Sequence, residues 1–289
     1  MNQIAEKIYV ETNYPGVNVG TIVTRKGLIC IDTPSFPRDA RNWSTRVHQI
    51  HPYAVEYLVL SDFHGDRILN SRWLNAAIIT HQITEEKLNS YDKRYPQSLL
   101  DSLIARNPDC GRELTSSPVE QPALSFEHDL TIGYGRRMIT LLHRPGPTSA
   151  TIWVHLPNDG VLFTSDSVVS QQHPLLAQAN SRQWLDSLNE LLHDPRFAGV
   201  ETIIPGRGPA GDLSSVFPII DYLTEMRQTV HAHLQAGNPR EQVSPGNIAR
   251  FLHQFPLNQW PRDWVEKQIR LSLEHLYDEL KSEAAHQPE

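Results

Sequence analysis

The chain has 289 residues, of which 39% are hydrophobic and 20% charged, so it can bury an apolar core and is not of the disordered class. Its 26 basic and 33 acidic residues give a formal net charge of −7, which argues against a nucleic-acid-binding protein with a broad basic surface. The two cysteines exclude a disulfide framework and a cysteine-rich zinc site, whereas the 14 histidines raise the question of metal binding.

Short strands dominate the first half of the chain. Runs of β-branched and apolar residues bounded by turn residues predict strands at residues 7–11, 19–24, 28–32, 56–60 and 76–80. A helix is predicted at 38–50, because Trp43, Val47 and Ile50 recur on one face. The strand at 56–60 is apolar throughout, which is typical of a strand buried on both faces.

A helical stretch separates these strands from a second group. Residues 84–106 predict a helix interrupted at Tyr95, and residues 107–121 predict a loop. Further strands are predicted at residues 123–128, 137–143, 151–156, 160–164 and 201–204. Further helices are predicted at residues 182–193, 212–235, 243–253 and 262–281.

Two groups of strands, each interleaved with helices, predict an α+β fold in which two packed sheets lie between outer helices. No linker or change of composition divides the chain, so we expect residues 1–289 to form a single domain. Within it, about 82–121 is a helical insertion between the two strand groups, and the part from about 212 to 289 is helical.

The sequence also limits the location and partners that we expect. Residues 1–9 lack a basic segment followed by an apolar stretch, and no apolar run approaches the ~20 residues that span a bilayer. We therefore expect a cytoplasmic protein that has neither a membrane nor a nucleic acid as its partner. The sequence does not specify an oligomeric state.

Three groups of loop residues after predicted strands carry an unusual composition. They are residues 61–70, residues 144–148 together with 164–166, and residues 205–209. The first of them contains Asp62, His64, Asp66 and Arg67 within six positions. Loops that follow buried strands often hold functional residues, and an aspartate and a histidine two residues apart can point at one metal ion.

In this order and spacing, the loops resemble those of the metallo-β-lactamase superfamily, over almost the whole chain. Residues 60–67 (LSDFHGDR) resemble the signature Thr-His-x-His-x-Asp-His, and residues 144–148 resemble Pro-Gly-His-Thr. Residues 162–166 resemble Leu-Phe-x-Gly-Asp, and residues 204–209 resemble Val-Pro-Gly-His-Gly-Pro. The resemblance implies a four-layer αβ/βα sandwich with a metal site at its edge, at which an activated water is the nucleophile.

The resemblance also implies which positions of this chain would bind metal. His64, Asp66 and Asp166 keep the residue of the family, and Asp62 replaces a histidine but can still bind metal. A single divalent ion (zinc, manganese or ferrous iron) would then be held by Asp62, His64 and Asp166. The alternative, left open by the sequence, is a site that holds no metal.

Three further ligand positions carry residues that cannot bind a metal. They are Arg67, Pro147 and Arg207, because proline has no side-chain donor atom and arginine stays protonated. Two guanidinium groups carry the charge of one divalent ion. Arg67 and Arg207 are therefore expected to pair with Asp66 and Asp166, so that a salt-bridge cluster replaces the second metal.

Two functions follow from these positions. The first is a divergent hydrolase with at most one metal ion that cleaves an ester, lactone, thioester or phosphoester. In it, Asp66, Arg67 and Arg207 form the catalytic set, and the arginines bind an anionic group or a developing oxyanion of a small molecule. The second is a metal-free pseudoenzyme that binds an anionic small ligand or a protein partner in the old cleft. The resemblance implies that the insertion at about 82–121 roofs the site and that His81 lines the pocket. The residues of the insertion suit a ligand pocket and an oligomer contact equally, and the sequence leaves both open.

Overall fold

A computed structural model describes residues 1–111, 113–114, 118–134 and 137–285. Residues 112 and 115–117, which belong to the predicted insertion and its predicted loop, lie outside the described residues. The same is true of residues 135–136 and of residues 286–289 at the end of the predicted domain.

The first sheet contains strands that pair in chain order. They are β1 (Asn2–Ala5), β2 (Ile8–Glu11), β3 (Val19–Val23), β4 (Leu28–Ile31), β5 (Val55–Val59), β6 (Ala77–His81) and β7 (Leu124–Phe126). Neighbours from β1 to β4 run antiparallel, and neighbours from β4 to β7 run parallel. The parallel strands β4 and β5 both end at the edge of the sheet from which the loop at 61–70 starts.

The second sheet is mostly a meander. Its strands are β8 (Asp129–Tyr134), β9 (Arg137–His143), β10 (Ile152–Leu156), β11 (Val161–Phe163) and β12 (Thr202–Ile204), in the spatial order β12-β11-β10-β9-β8. The pairs from β8 to β11 are antiparallel, and β12 is parallel to β11. The loops after β11 and β12 therefore leave the same edge, and they contain residues 164–166 and 205–209.

Helices cover the outer faces of both sheets. Within the described ranges they are α1 (Pro37–Ile50), α2 (Gly65–Ile68), α3 (Gln82–Asn89), α4 (Gln97–Arg106), α5 (Pro108–Gly111), α6 (Ser181–His193), α7 (Phe217–Gln235), α8 (Ile248–Leu252) and α9 (Arg262–Ala285). Helices α1 and α6 supply crossovers that the parallel pairs β4–β5 and β11–β12 require. In the described part of the chain, no helix has the length and apolar character to cross a membrane.

Side chains that alternate along the strands form three apolar layers. These lie between four layers of secondary structure, namely helices, a sheet, a second sheet and helices, so the protein is the predicted four-layer αββα sandwich. Ile29 and Ile31 of β4 belong to the layer between the sheets, whereas Leu28 and Cys30 pack with Trp43 on the side of α1. The outer face of the second sheet packs against α6, α7, α8 and α9 in a third layer. The central strands of both sheets, such as β4 and β10, are therefore buried on both faces.

Hydrogen bonds join the loops of the two sheets at the edge where the site lies. The backbone N–H of Asn18 donates to the carbonyl of Gly206 at 2.8 Å, and the N–H of Ile152 donates to the carbonyl of Ser61 at 2.8 Å. The Ser61 hydroxyl also lies 2.9 Å from the hydroxyl of Ser165. These bonds connect the loop after β5 to the second sheet and to the loop after β11, and they connect the loop after β12 to the segment before β3.

The main differences from the predicted elements have local causes. The predicted helix at 212–235 begins as the 3₁₀ turn Leu213–Val216, and α7 proper starts at Phe217, one residue before a proline that suits a first helical turn. The predicted helix at 243–253 shortens to α8, because Pro245 and Gly246 (φ +87°) precede it. Strands β1 and β8 were not predicted, since β1 is short and β8 alternates exposed and half-buried positions.

The layer between the sheets gives a stability prediction. Leu141 is fully buried there, whereas Leu124 on β7 is 42% exposed. Leu141→Ala removes buried methyl groups and leaves a cavity, so we expect it to lower the free energy of unfolding by about 2–5 kcal/mol. The matched change Leu124→Ala should lower it by less than about 1 kcal/mol. Urea denaturation of both variants tests this, and equal losses would contradict the assignment of Leu141 to the core.

Candidate metal centre and active site

The loop that follows β5 places Asp62 and His64 side by side. Asp62 is fully buried, and its Oδ1 accepts a hydrogen bond from the backbone N–H of His64 at 2.8 Å. Its Oδ2 lies 2.9 Å from Nδ1 of the His64 ring. The His64 side chain is 27% exposed. The contact fixes the orientation of the ring and leaves Nε2 as the nitrogen without a partner in the described part of the protein.

Asp166 reaches the same place from the second sheet. It lies in the 3₁₀ turn Ser165–Ser167 directly after β11, where Ser165 has a φ of +50°. Asp62, His64 and Asp166 each offer one ligand atom, and these atoms lie within 4.8 Å of one another. The structure therefore brings the three predicted metal ligands together, although 102 positions of sequence separate His64 from Asp166.

The guanidinium group of Arg67 lies among three aspartates. Its Nη2 donates to Oδ1 of Asp166 at 2.6 Å, and its Nε donates to Oδ2 of Asp32 at 3.2 Å. Its Nη1 lies 3.8 Å from Oδ1 of Asp62. Burial by itself lowers the pKa of Arg67, but the three carboxylates outweigh burial and raise it. Because Arg67 is also fully buried, it acts on these side chains and does not reach a ligand in a cavity.

Asp32 braces the loop after β5. Its Oδ1 accepts the backbone N–H of Ser61, and its Oδ2 accepts the Ser61 hydroxyl, both at 2.7 Å. Burial is the strongest influence on this carboxyl group and raises the pKa of Asp32 to about 6, against the lowering effect of the charge on Arg67. The backbone at Asp32 is left-handed, with φ +56°, which is strained for a residue with a side chain.

Arg207 shares Asp166 with Arg67. Its Nε donates to the same Oδ1 at 3.3 Å, and its guanidinium lies 5.0 Å from the centre of the Trp260 ring. Burial by itself raises the pKa of Asp166, but the charges of Arg207 and Arg67 outweigh it and hold the pKa below its usual value. Burial also raises the pKa of Asp62, and there the charge of Arg67 is the strongest of the opposing effects, so that the pKa again falls below its usual range.

The structure corrects the predicted partner of Asp66. Arg67 or Arg207 is the partner expected from the sequence, but Asp66 forms a bidentate ion pair with Arg106 of α4. Successive residues of a helix point about 100° apart, so Asp66 faces α4 while Arg67 faces the edge of the sheets. The chain passes close to this pair at Gly16 (φ +83°), where any side chain would collide with the Arg106 guanidinium.

Sequence reasoning missed Arg106 and the two tryptophans beside it. The guanidinium of Arg106 lies 5.6 Å from the centre of the Trp260 ring and 5.8 Å from that of Trp264. Both distances suit cation–π attraction. No motif or periodicity links Arg106 to Asp66, which lies 40 positions earlier, and a basic residue in the last turn of a helix is ordinary.

Seven buried side chains form a group that we call the buried ionic cluster: Asp32, Asp62, Asp66, Asp166, Arg67, Arg106 and Arg207. Its positive and negative charges nearly cancel, but some of its N–H groups lack hydrogen-bond partners. Four carboxylates and three guanidinium groups leave one formal negative charge next to His64. Three buried N–H nitrogens have no hydrogen-bond partner among the described residues, namely Arg67 Nη1, Arg106 Nε and Arg207 Nη1. Buried donors of this kind are ordinarily satisfied by water or a ligand.

A cavity of about 370 Å³ opens beside His64. Its wall includes Asp66, Tyr91 and Leu103, and Trp264 of α9 contributes from the other side. The predicted insertion therefore contributes residues to the wall of this cavity. The walls combine apolar and polar side chains, which is typical of a site for a small organic molecule.

His81 is expected from the sequence to line this pocket, but the structure gives it a bracing role. Its Nδ1 accepts the backbone N–H of Ile83 at 3.2 Å and thereby caps α3. Its Nε2 lies 2.9 Å from the carbonyl of Glu127, and its ring stacks on that of His143 at 3.8 Å. His81 is 3% exposed and does not line the cavity.

Comparison with known proteins identifies the family. A model of the metallo-beta-lactamase superfamily matches residues 14–206, which is more than half of the chain. The chain belongs to this superfamily. The chain is similar to metallo-beta-lactamase type 2 from Elizabethkingia meningoseptica, with 21% identity over 240 residues. The alignment covers 79% of this chain and 86% of that protein.

Solved structures agree with this superfamily member in fold. A metallo-beta-lactamase from Pontibacter korlensis superposes with a TM-score of 0.61 and 18% identity, over 77% of this chain and 97% of that one. The sec-alkylsulfatase Pisa1 from Pseudomonas sp. superposes with a TM-score of 0.69 and 13% identity, over 96% of this chain. The chain spans about half of the alkylsulfatase, since 49% of that chain is covered.

The arginine shared by three aspartates gives a second prediction. Arg67→Met leaves Asp32, Asp62 and Asp166 buried without their common cation, so we expect it to lower the free energy of unfolding by about 3–5 kcal/mol near pH 7. The native pKa values of Asp62 and Asp166 lie below normal, so the stability that they contribute is present above the usual carboxyl pKa of about 3.9 and is lost as the pH falls. In the variant, burial without the cation should raise the pKa of the same carboxyl groups, so that they bind protons and become less costly to bury as the pH falls. The difference in unfolding free energy between the variant and the original protein should therefore narrow from pH 7 towards about pH 4.

A matched control is Arg196→Met. Arg196 is 52% exposed and pairs with Glu190 and Asp194, so its loss should change stability little at any pH. Urea denaturation of both variants between pH 4 and pH 8 measures the two effects. An Arg67→Met variant as stable as the Arg196→Met variant would show that the cluster is not held together by Arg67.

Proposed function

We propose that this superfamily member is a hydrolase that uses one divalent metal ion held by Asp62, His64 and Asp166. The observation that carries the proposal is the approach of the three ligand atoms to within 4.8 Å of one another. One imidazole and two carboxylates suit zinc, manganese or ferrous iron and leave coordination positions open. The relatives named above are β-lactamases and an alkylsulfatase, and their names support a hydrolytic reaction.

The hydrogen bonds of Asp166 and His64 leave donor atoms for an ion. Arg67 and Arg207 both donate to Oδ1 of Asp166, so that Oδ2 accepts no hydrogen bond from the described residues. In His64, Nδ1 faces Asp62 and Nε2 is unpartnered. An ion held by both Asp62 and His64 would replace the hydrogen bond between Asp62 Oδ2 and His64 Nδ1, and these two atoms would then be its ligands together with Oδ2 of Asp166. These atoms fit one ion without disruption of the ion pairs around Arg67.

The charge of the cluster favours one ion and not two. The buried ionic cluster carries one formal negative charge, which a divalent ion would turn into one positive charge. A second divalent ion would raise this to three positive charges in a region from which water is largely excluded, and such a charge is strongly unfavourable there. Arg67 and Arg207 thus occupy, in electrostatic terms, the place of a second cation.

The residues around the ligands would divide the chemical tasks among them. When bound, a divalent ion supplies a Lewis acid that lowers the pKa of water and polarises a carbonyl or phosphoryl oxygen. Arg67 and Arg207 are positioning residues, because they keep Asp166 ionised and fixed. Asp66 holds Arg106 at the wall of the cavity beside His64. The cavity would take a small ester, lactone, thioester or phosphoester, including one with an anionic group.

A second candidate function is a metal-free protein that binds an anionic small ligand or a partner in the same cleft. The observation in its favour is that Arg106, which lines the cavity beside His64, has a buried Nε without a hydrogen-bond partner among the described residues. This binding protein differs from the proposed hydrolase because it requires no metal ion and catalyses no reaction. One experiment distinguishes the two functions.

That experiment measures metal content and hydrolysis together. In protein purified without chelator, we expect about one equivalent of zinc, manganese or iron by mass spectrometry, and hydrolysis of at least one of p-nitrophenyl acetate, a thioester, a lactone or p-nitrophenyl phosphate. His64→Ala and the isosteric Asp62→Asn should lose both the metal and at least about tenfold in rate. His253→Ala, at an exposed position at the end of α8, is the matched control and should lose neither. Full activity in protein stripped of metal would refute the metal-dependent mechanism, and the absence of both metal and turnover would favour the binding protein.

Restoring histidines tests the idea that arginines occupy the place of a second ion. With Asp62, Arg67, Pro147 and Arg207 all changed to histidine, we expect the protein to bind two zinc ions per chain in a titration. The cluster then regains donor atoms and loses two positive charges and one negative charge, so that its formal charge changes from −1 to −2. Circular dichroism confirms folding before the titration. A folded variant that still binds at most one zinc ion would contradict the idea.

A further inference from the structure

A second cavity lies on the other side of Arg207. It has a volume of about 210 Å³ and shares no lining residue with the cavity beside His64. Its walls come from the segment 12–18 that connects β2 to β3 and from Gln172, Arg207, Gly208 and Gln259. The side chains of this wall are mostly polar, and none of them is a carboxylate. A cavity of this volume holds a small ion with several waters, each of which occupies about 30 Å³ in the liquid.

The charge of Arg207 is the least compensated of the three arginines in the buried ionic cluster. Arg106 has a carboxylate of its own in Asp66, and Arg67 is in contact with three. Arg207 has one contact of 3.3 Å, to an oxygen of Asp166 that Arg67 already occupies at 2.6 Å. The face of Trp260 offsets only part of that charge.

Two of the residues that line this cavity also carry unpartnered polar atoms. Nη1 of Arg207, whose side chain is 2% exposed, is buried and has no hydrogen-bond partner in the described part of the protein. Oε1 of Gln172, also in the wall, is buried and unpartnered as well, and rotation of its amide by half a turn would present two N–H donors instead. A buried guanidinium with a spare donor, next to a polar cavity without carboxylates, is matched in charge and hydrogen bonding by an anion.

We propose that this second cavity is a binding site for a small oxoanion, a carboxylate, phosphate or sulfate group, held by Arg207. The anion accepts hydrogen bonds from the Arg207 guanidinium. It also gives Arg207 a negative partner of its own, since Arg207 shares Asp166 with Arg67. The site does not depend on a metal ion at Asp62, His64 and Asp166, and it is distinct from the substrate cavity in the proposed function.

Gln259 offers a test that leaves the ionic cluster intact. Its side chain is exposed, lines the second cavity and makes no hydrogen bond with the described residues, so a change there should not impair folding. Gln259→Glu places a negative charge at the cavity, and Gln259→Lys places a positive charge at the same position. In isothermal titration calorimetry at low ionic strength, we expect inorganic phosphate to bind about three- to tenfold more weakly to the first variant and more tightly to the second by a similar factor. Acetate, as a carboxylate probe, should follow the same order.

Gln268→Glu is the matched control. Gln268 lines the cavity beside His64, so the same chemical change there should leave phosphate affinity within about twofold of the original. Arg207→Met should abolish phosphate binding in a protein that still shows a cooperative unfolding transition. Equal affinities in both Gln259 variants, or a larger loss in Gln268→Glu than in Gln259→Glu, would refute the site.

The titrations are carried out on chelator-treated protein and again after addition of zinc. Phosphate binding with the expected charge dependence in both states supports the anion site whatever the metal content. A protein that binds zinc and hydrolyses an ester but shows no such dependence would refute the anion site and leave the proposed function standing. Binding of phosphate only after zinc is added, with no effect of the Gln259 variants, would place the anion at the metal and also refute the site.

Discussion

The site depends on one buried contact, in which the guanidinium group of Arg67 is shared by Asp32, Asp62 and Asp166. These aspartates come from both sheets, so one side chain holds three loops in a fixed relation. Charges in such a position pay a large desolvation penalty, which mutual attraction and well-formed hydrogen bonds must offset. The low pKa values of Asp62 and Asp166 show the result, because both carboxylates stay ionised although they are buried.

The same contact limits the chemistry that the cleft can perform. With Arg67 and Arg207 present, the cluster carries one formal negative charge, and the function proposed above assigns it a single divalent ion. A site with histidines in their place would lack this built-in positive charge. The arrangement also separates two kinds of task. Asp62, His64 and Asp166 retain donor atoms, while the arginines control the ionisation and position of those donors.

The C-terminal part of the chain completes the site from outside the segment that matches the family model. That match ends at residue 206, yet Trp260 contacts Arg106 and Arg207, and Trp264 lines the cavity beside His64. The face of an aromatic ring stabilises a cation without neutralising it, so Trp260 lets two arginines of like charge lie near one another. The helical C-terminal part is therefore part of the functional architecture as well as a covering layer on the second sheet.

The sequence by itself predicted two packed sheets between outer helices. Its loop motifs, through their resemblance to the superfamily, indicated the four-layer arrangement and the candidate ligands Asp62, His64 and Asp166. The order of strands and helices predicts the layers, because each apolar face must pack against another element. The approach of Asp166 to Asp62 and His64 was implied only by the resemblance of the loops to the superfamily motifs. The partner of Asp66 was decided only by the tertiary structure, because the direction of neighbouring side chains in α2 and the approach of α4 select Arg106. The contribution of Trp260 and the uncompensated charge of Arg207 were likewise decided there. Both depend on contacts between residues that are far apart in the chain, and no local sequence pattern predicts such contacts.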